Sequence, residues 1–83
     1  MSSQQQSEKT AEQYFQDGLA FSKLGDDRKT FESYKKAIEL DPDYFLAHFN
    51  LGIRYGKLRM NLEASKSFRE ALRLKPEAPM VHY

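Results

Sequence analysis

The sequence contains no cysteine, only four glycines and three prolines in its 83 residues, and no long apolar run. Without cysteine the chain forms neither a disulfide scaffold nor a thiolate metal site, which fits a reducing compartment. No apolar run approaches the roughly 18 residues of a membrane-spanning helix, and Met1 to Thr10 lacks the apolar stretch of a secretory signal. We therefore expect a soluble, cytoplasmic protein with no membrane insertion.

The chain also lacks a charge excess of either sign, since 13 basic residues stand against 12 acidic ones. Proteins that bind nucleic acid usually carry a clustered basic face. One short basic stripe is present, because Lys66, Arg69 and Arg73 follow one another at steps of three and four. In a chain so nearly neutral we interpret that stripe as a solvated helix face and expect no nucleic-acid partner.

The length allows one domain at most. A chain of this size buries only about 60% of its unfolded surface, so its core must be thin. Residues 1–7 form a polar, serine- and glutamine-rich leader. Such a segment cannot bury enough apolar surface to offset its ordering entropy, and we expect it to be disordered.

An internal repeat organises the rest of the chain. Gly18 and Gly52 lie 34 residues apart, and at the same offset small residues match small ones, aromatics match aromatics and proline matches proline. A period of this length is typical of helical repeat arrays. The further matched pairs are Phe21 with Tyr55, Lys23 with Lys57, Leu24 with Leu58, Tyr34 with Phe68, Ala37 with Ala71, Leu40 with Leu74, and Pro42 with Pro76.

Each repeat is predicted to be a pair of helices, because its apolar residues recur at steps of three and four. Asp26, after Gly25, is a candidate N-cap for the second helix, and Asn61 is the candidate in the second repeat. Asp41-Pro42 and Lys75-Pro76 end the second helices, since a residue before proline disfavours the helical conformation. The two repeats span about 11–44 and 45–78 within a region that covers 8–78.

A glycine inside a helix costs about 1 kcal/mol relative to alanine. The recurrence of Gly18 and Gly52 predicts that each faces a small residue of the partner helix, Ala37 or Ala71, so that the two backbones approach closely. Bulky aromatics then fill the space beside the crossing. The predicted repeat-packing residues are Gly18, Phe21, Tyr34, Ala37, Gly52, Tyr55, Phe68 and Ala71.

These residues carry a resemblance to a known family. The second repeat resembles the tetratricopeptide repeat in Leu51-Gly52, Tyr55, Ala64, Phe68, Ala71 and Pro76. The first repeat keeps five of the matching positions and departs at Asp17 and Thr30, where the family prefers leucine and alanine. The resemblance covers about Ala11 to Pro76. It implies an all-α fold of tandem antiparallel helix–turn–helix repeats, an α-solenoid of four helices followed by a C-terminal stub.

The stub is the start of a third repeat. Counting 34 residues onward, Pro79, His82 and Tyr83 correspond to Phe45, His48 and Phe49. We expect residues 79–83 to be a truncated repeat. Terminal repeats need a polar capping face, which this segment does not provide, so one copy could cover the open end of another.

In this family the first helix of each repeat lines a concave groove that binds partner peptides. By resemblance, the groove residues here are Phe15, Leu19, Lys23, Leu46, Phe49, Asn50, Ile53 and Lys57. Exposed apolar stripes usually mark interaction surfaces, but the same apolar residues could instead be core. Two functions stay open: an adaptor or scaffold module that binds another protein or peptide, and a self-associating unit that forms a homodimer or larger oligomer.

The sequence gives little support for a carboxylate clamp, a metal site or an active site. Family members that clamp a chaperone's terminal carboxylate need a lysine where Phe15 stands and an asparagine where Leu19 stands, although Asn50 matches. His48 and His82 lie at equivalent positions, too far apart to share one metal ion if their helices pack at about 8–10 Å, and a packing role is predicted for His48. We predict no enzyme activity, no cofactor, no metal and no small-molecule substrate.

Overall fold

The computed structural model describes residues 9–77, which contain four α-helices and no strand. The helices are α1 (Ala11–Lys23), α2 (Asp27–Leu40), α3 (Phe45–Lys57) and α4 (Asn61–Leu74). The chain divides into two compact units, Met1–Pro42 and Asp43–Tyr83, in which α1 packs on α2 and α3 packs on α4. The predicted all-α helix–turn–helix fold is confirmed. The predicted leader 1–7 and C-terminal stub 79–83 lie outside the described residues.

The helix starts of the first unit follow from short polar side chains. Thr10 and Gln13 form a capping box, in which the Thr10 hydroxyl accepts the Gln13 N–H at 3.1 Å and the Gln13 side chain accepts the Thr10 N–H at 2.8 Å. Asp26 caps α2 by accepting the Lys29 N–H at 3.1 Å. The N-cap role predicted for Asp26 is therefore confirmed, and each cap satisfies an amide that the helix itself leaves unpaired.

The cap predicted for α4 is wrong. Asn61 is the first helical residue, and Met60 occupies the N-cap position without a side-chain hydrogen bond. The repeat offset explains the error, because residue 60 corresponds to Asp26 and Asn61 corresponds to Asp27. The methionine side chain has no oxygen that could accept a hydrogen bond from a backbone N–H, so α4 begins without the side-chain cap that α2 has.

The turn inside each unit requires one residue in the left-handed region. Gly25 has a φ of 79°, and Arg59, at the equivalent position, has a φ of 65°. Both turns close as Schellman motifs, in which two amides beyond the helix bond back to its last carbonyls. The bonds are Gly25 N to Ser22 O (3.0 Å), Asp26 N to Phe21 O (3.0 Å), Arg59 N to Gly56 O (3.0 Å) and Met60 N to Tyr55 O (2.9 Å).

The helical glycines lie against aromatic rings. A Cβ atom on Gly18 would overlap the Tyr34 ring, and one on Gly52 would lie 2.7 Å from two atoms of the Phe68 ring. Tyr34 and Phe68, two of the aromatics predicted to fill the space beside the crossing, therefore provide the nearest atoms, and the facing alanine stays a prediction. Ala37 and Ala71 are fully buried.

The two departures from the family pattern in the first repeat have local explanations. Thr30 is fully buried, and its hydroxyl donates to the Asp26 carbonyl at 2.8 Å, so it brings no unpaired polar group into the core. Asp17 is partly exposed and pairs with Lys9 at 2.6 Å, whereas the equivalent Leu51 is 5% exposed. The hydrogen bond from Lys9 to Asp17 raises the pKa of the lysine.

The close approach at Gly52 generates a stability prediction. Gly52→Ala lowers the free energy of unfolding by about 1 kcal/mol, because overpacking against Phe68 outweighs the helix propensity gained. Gly56, in the same helix, has open space where a Cβ atom would lie, with no heavy atom within 4 Å. Gly56→Ala therefore raises that free energy by about 0.5 kcal/mol. Urea unfolding followed by circular dichroism measures both; stabilisation by both variants would contradict the steric assignment.

A second prediction concerns the left-handed residues. Arg59→Gly raises the free energy of unfolding by about 1 kcal/mol, because glycine adopts a positive φ without the Cβ clash. The reciprocal variant Gly25→Arg, at the equivalent position of the first unit, lowers it by a similar amount. Denaturant unfolding of both variants checks the pair, and an unchanged or reduced stability of Arg59→Gly would show that the turn geometry is incorrect.

Candidate protein-interaction surface

The groove residues predicted in the first repeat differ in exposure. Phe15 is 5% exposed and packs on Tyr34, with ring centroids 5.5 Å apart. Leu19 is partly exposed and Lys23 is exposed. Phe15 therefore belongs to the core of the first unit, which is the alternative that the sequence left open, and only Leu19 and Lys23 present surface to a ligand.

The groove residues predicted in the second repeat are more accessible. Leu46 and Lys57 are exposed, while Phe49, Asn50 and Ile53 are partly exposed. The partial exposure of Phe49 contrasts with the burial of the equivalent Phe15. The surface offered by α3 is therefore both apolar and polar.

Phe49 also belongs to an aromatic cluster that shapes this surface. Its ring stacks on Phe45 at 5.9 Å and contacts the Phe68 ring at 6.1 Å, measured between centroids. The Lys75 ammonium lies 5.0 Å from the centroid of Phe45, a cation–π distance. Because Phe68 also covers Gly52, the cluster connects the packing of α3 on α4 to the accessible face of α3.

A cleft of about 530 Å³ lies between α3 and α4 of the second unit. Ile53 and Lys57, two of the predicted groove residues, form part of its wall. The full lining is Ile53, Gly56, Lys57, Asn61, Ala64, Ser65 and Phe68. The cleft thus combines apolar side chains with an ammonium, an amide and a hydroxyl.

Sequence reasoning missed the α4 side of this cleft. Asn61, Ser65 and Phe68 follow one another at steps of four and three, so they share one face of α4. That spacing is visible in the sequence, and the small residues Gly56 and Ala64 indicate that space is left between the two helices. The resemblance directed attention to the first helix of each repeat and away from α4.

Charge on α4 is partly neutralised within the second unit. Arg73 donates to Glu70 through Nε at 2.7 Å and to Asp43 at 3.4 Å. The hydrogen bond to Arg73 lowers the pKa of the Glu70 carboxyl, and the same bond raises the pKa of Arg73. Lys66 and Arg69 are exposed and form no ion pair with a residue in the range 9–77.

Comparison with protein families agrees with the repeat geometry. A family model described as TPR repeat matches residues 18–58, and a second, described as tetratricopeptide repeat, matches residues 46–77. The chain belongs to the tetratricopeptide repeat family. Repeats of this family generally mediate protein–protein interaction, and the family is a scaffold for interaction rather than for catalysis. A comparison with curated proteins finds no significant match.

Within this tetratricopeptide repeat chain, the residues of the carboxylate clamp are not in place. Phe15 stands at the clamp's lysine position and is buried. Leu19 stands at the position of its first asparagine, and Asn50 is partly exposed. An apolar residue in the lysine position offers no charge-assisted bond to a carboxylate.

Among residues 9–77, no three histidine, cysteine, aspartate or glutamate side chains converge in a way that would hold a metal ion. His48 is partly exposed, and the packing role expected for it stays a prediction. His82 lies outside the described residues. None of the four described helices is long and apolar enough to cross a membrane.

Proposed function

We propose that this chain is a protein-binding module and that its second repeat binds a peptide segment of a partner in the cleft between α3 and α4. The cleft itself is the observation that carries the proposal, because it is open and mixes apolar with polar walls. Its volume of about 530 Å³ falls in the range of small-ligand pockets, which is about 300–1,000 Å³.

The lining defines the chemistry of the ligand. Ile53, Ala64 and Phe68 provide apolar surface for a side chain such as leucine or methionine. Asn61 and Ser65 provide hydrogen-bonding groups for the main chain of a peptide. Lys57 is exposed and forms no ion pair with the described residues, so it favours an acidic residue next to the apolar one.

The first repeat is proposed to contribute less. Its equivalent of Asn61 is Asp27, which places a negative charge where the second repeat has an amide. Phe15 is buried, so the candidate contacts in this repeat are Leu19 and Lys23. We therefore assign the principal site to the second repeat.

Peptide selection tests the assignment. A phage-displayed peptide library is selected against the wild-type chain, and fluorescence anisotropy then measures the binding of the recovered peptides. Ile53→Gln combined with Lys57→Glu weakens their binding at least about tenfold, because it removes apolar contact and reverses the charge. Lys35→Glu, a charge-matched control on the exposed surface of α2, changes affinity less than about threefold.

Equal binding of the recovered peptides by the double variant would overturn the cleft assignment. Circular dichroism of the variant must show wild-type helicity, and this is expected because Ile53 is only partly buried and Lys57 is exposed. Recovery of no peptide above background, with the chain folded, would count against peptide binding itself.

Self-association is a second candidate function, and exposed apolar surface favours it. Among the described residues, seven large apolar side chains are exposed. The exposed side chains are Leu24, Leu40, Leu46, Leu58, Met60, Leu62 and Leu72.

Sedimentation velocity across a concentration series tests this candidate. A self-associating chain shows a sedimentation coefficient that rises with concentration, and Leu46→Gln with Leu62→Gln lowers it because apolar contact is lost. A folded monomer whose sedimentation coefficient stays constant at high concentration would reject self-association and leave the cleft as the interaction site.

A further inference from the structure

The near-neutral charge of the whole chain conceals opposite charges on its two units. Residues 43–83 contain seven lysines and arginines against four acidic residues, a formal charge of +3. Residues 1–42 contain six against eight, a formal charge of −2. An asymmetry of this kind indicates that the second unit meets an anionic partner.

Three of the seven cations of the second unit lie on one exposed face of α4, which we name the outer α4 face. At 100° per residue its members fall within an arc of about 60°, on the side opposite the buried Ala64 and Ala71. All of them are exposed, and Leu62 is 69% exposed. The outer α4 face consists of Leu62, Lys66, Arg69 and Arg73.

The equivalent face of α2 is a natural comparison because it has the same place in the first repeat. It reads Arg28, Glu32, Lys35 and Glu39. Arg28 pairs with Glu32 at 2.8 Å, and Glu39 pairs with the neighbouring Lys36 at 3.1 Å. The α2 face therefore carries no net formal charge, and both of its carboxylates are ion-paired, as is common on solvated helix faces.

The outer α4 face does not neutralise itself. Its only ion-paired member among the described residues is Arg73, which bonds Glu70 and Asp43. Glu63 and Glu70 flank the face, and neither pairs with Lys66 or Arg69. Lys66 and Arg69 therefore follow the exposed Leu62 on this face without an ion-pair partner among the described residues. This arrangement argues against a face that only contacts solvent.

Further exposed apolar side chains lie in the turn that precedes α4. Met60 and Leu58 are 43% and 39% exposed and lie within four residues of Leu62. In the first unit the residues equivalent to Met60 and Leu62 are the charged Asp26 and Arg28. A partner that binds through phosphates or carboxylates alone would leave the apolar side chain of Leu62 exposed to water. We therefore infer that the partner also offers apolar surface.

The spacing of the face specifies the shape of the partner. Its members lie at i, i+4, i+7 and i+11, the alternating steps of four and three that form a helix–helix seam. The seam is about 16 Å long. A second helix laid along α4 would therefore meet Leu62 at one end and the cations over the following three turns.

We propose that the outer α4 face binds an acidic amphipathic helix of a partner protein. A leucine-like residue of that helix covers Leu62, and its carboxylates pair with Lys66 and Arg69. The face is centred about 110° around α4 from the cleft residue Asn61 and about 130° from Phe68, while Ser65 lies about 70° from that centre and borders both surfaces. The module would therefore carry two independent interaction sites.

A designed peptide tests the proposal on the full chain. The probe is a fluorescein-labelled helix of about 18 residues, long enough to be helical in water, with leucines along one face and glutamates beside them. We expect it to bind with an affinity that falls as salt rises. Leu62→Gln weakens binding about tenfold and Arg69→Glu about fivefold. Lys35→Glu, the matched change on α2, leaves binding unchanged.

Other anions distinguish the remaining partners. A scrambled peptide of the same composition, polyglutamate, a single-stranded oligonucleotide and phosphatidylserine vesicles are titrated in parallel. Tighter binding of the oligonucleotide or the vesicles than of the amphipathic helix would overturn the proposal. So would equal binding of the scrambled peptide, no effect of Leu62→Gln, or no binding of the helix at about 1 mM.

A cleft variant distinguishes binding at the outer α4 face from binding in the cleft. The variant Ile53→Gln with Lys57→Glu, which removes the proposed cleft contacts, retains binding of the acidic helix within about twofold if the outer α4 face is the site. Loss of helix binding in that variant would place the probe in the cleft and overturn the separate surface. Circular dichroism checks that each variant keeps its helicity.

Discussion

Each unit of this protein depends on an aromatic ring that rests on a helical glycine. The Tyr34 ring occupies the space beside Gly18, and the Phe68 ring occupies the space beside Gly52. The glycine weakens its own helix by about 1 kcal/mol, but it allows the ring to pack against the backbone, where dispersion contacts are dense. The same contact shapes the candidate binding site, because Phe68 both covers Gly52 and lines the cleft.

The two repeats share this contact and differ in what surrounds it. The first has a capped second helix, a glycine in its left-handed turn and an outer α2 face of paired charges. The second has an uncapped α4, an arginine in the left-handed turn and an unpaired basic face beside exposed apolar residues. Each difference costs stability, and all of them lie in the repeat that holds the cleft. Natural proteins commonly accept such local costs at sites that bind.

Much of the fold was predictable from the sequence because it is repeated. The 34-residue offset and the spacing of apolar residues predicted four helices, and Asp26 was predictable as a cap from its place after Gly25. The N-cap of α4 was wrongly predicted to be Asn61 because asparagine is a favoured capping residue. The 34-residue offset from Asp26 instead places Met60 at the N-cap position. The direct contact of the Tyr34 ring with Gly18 was not predicted, because periodicity indicates which residues share a face but not that a ring packs against bare backbone.

The candidate site was less predictable than the fold. Periodicity places Phe15 and Phe49 on equivalent faces, yet Phe15 is buried and Phe49 is partly exposed. Exposure at these positions depends on neighbouring rings, such as Tyr34 against Phe15, and periodicity carries no information about such contacts. The α4 wall of the cleft was missed because its small and polar residues are conspicuous only when α3 and α4 are seen together.

The claim that a ring on a helical glycine builds each unit is tested most directly by a double-mutant cycle on Gly18 and Tyr34. The free energy of unfolding is measured for Gly18→Ala, Tyr34→Leu and the double variant. The contact predicts strong coupling, with the double variant less destabilised than the sum of the single variants by about 1–2 kcal/mol, because the smaller side chain relieves the overlap. Additivity within about 0.5 kcal/mol would show that the two residues do not depend on each other.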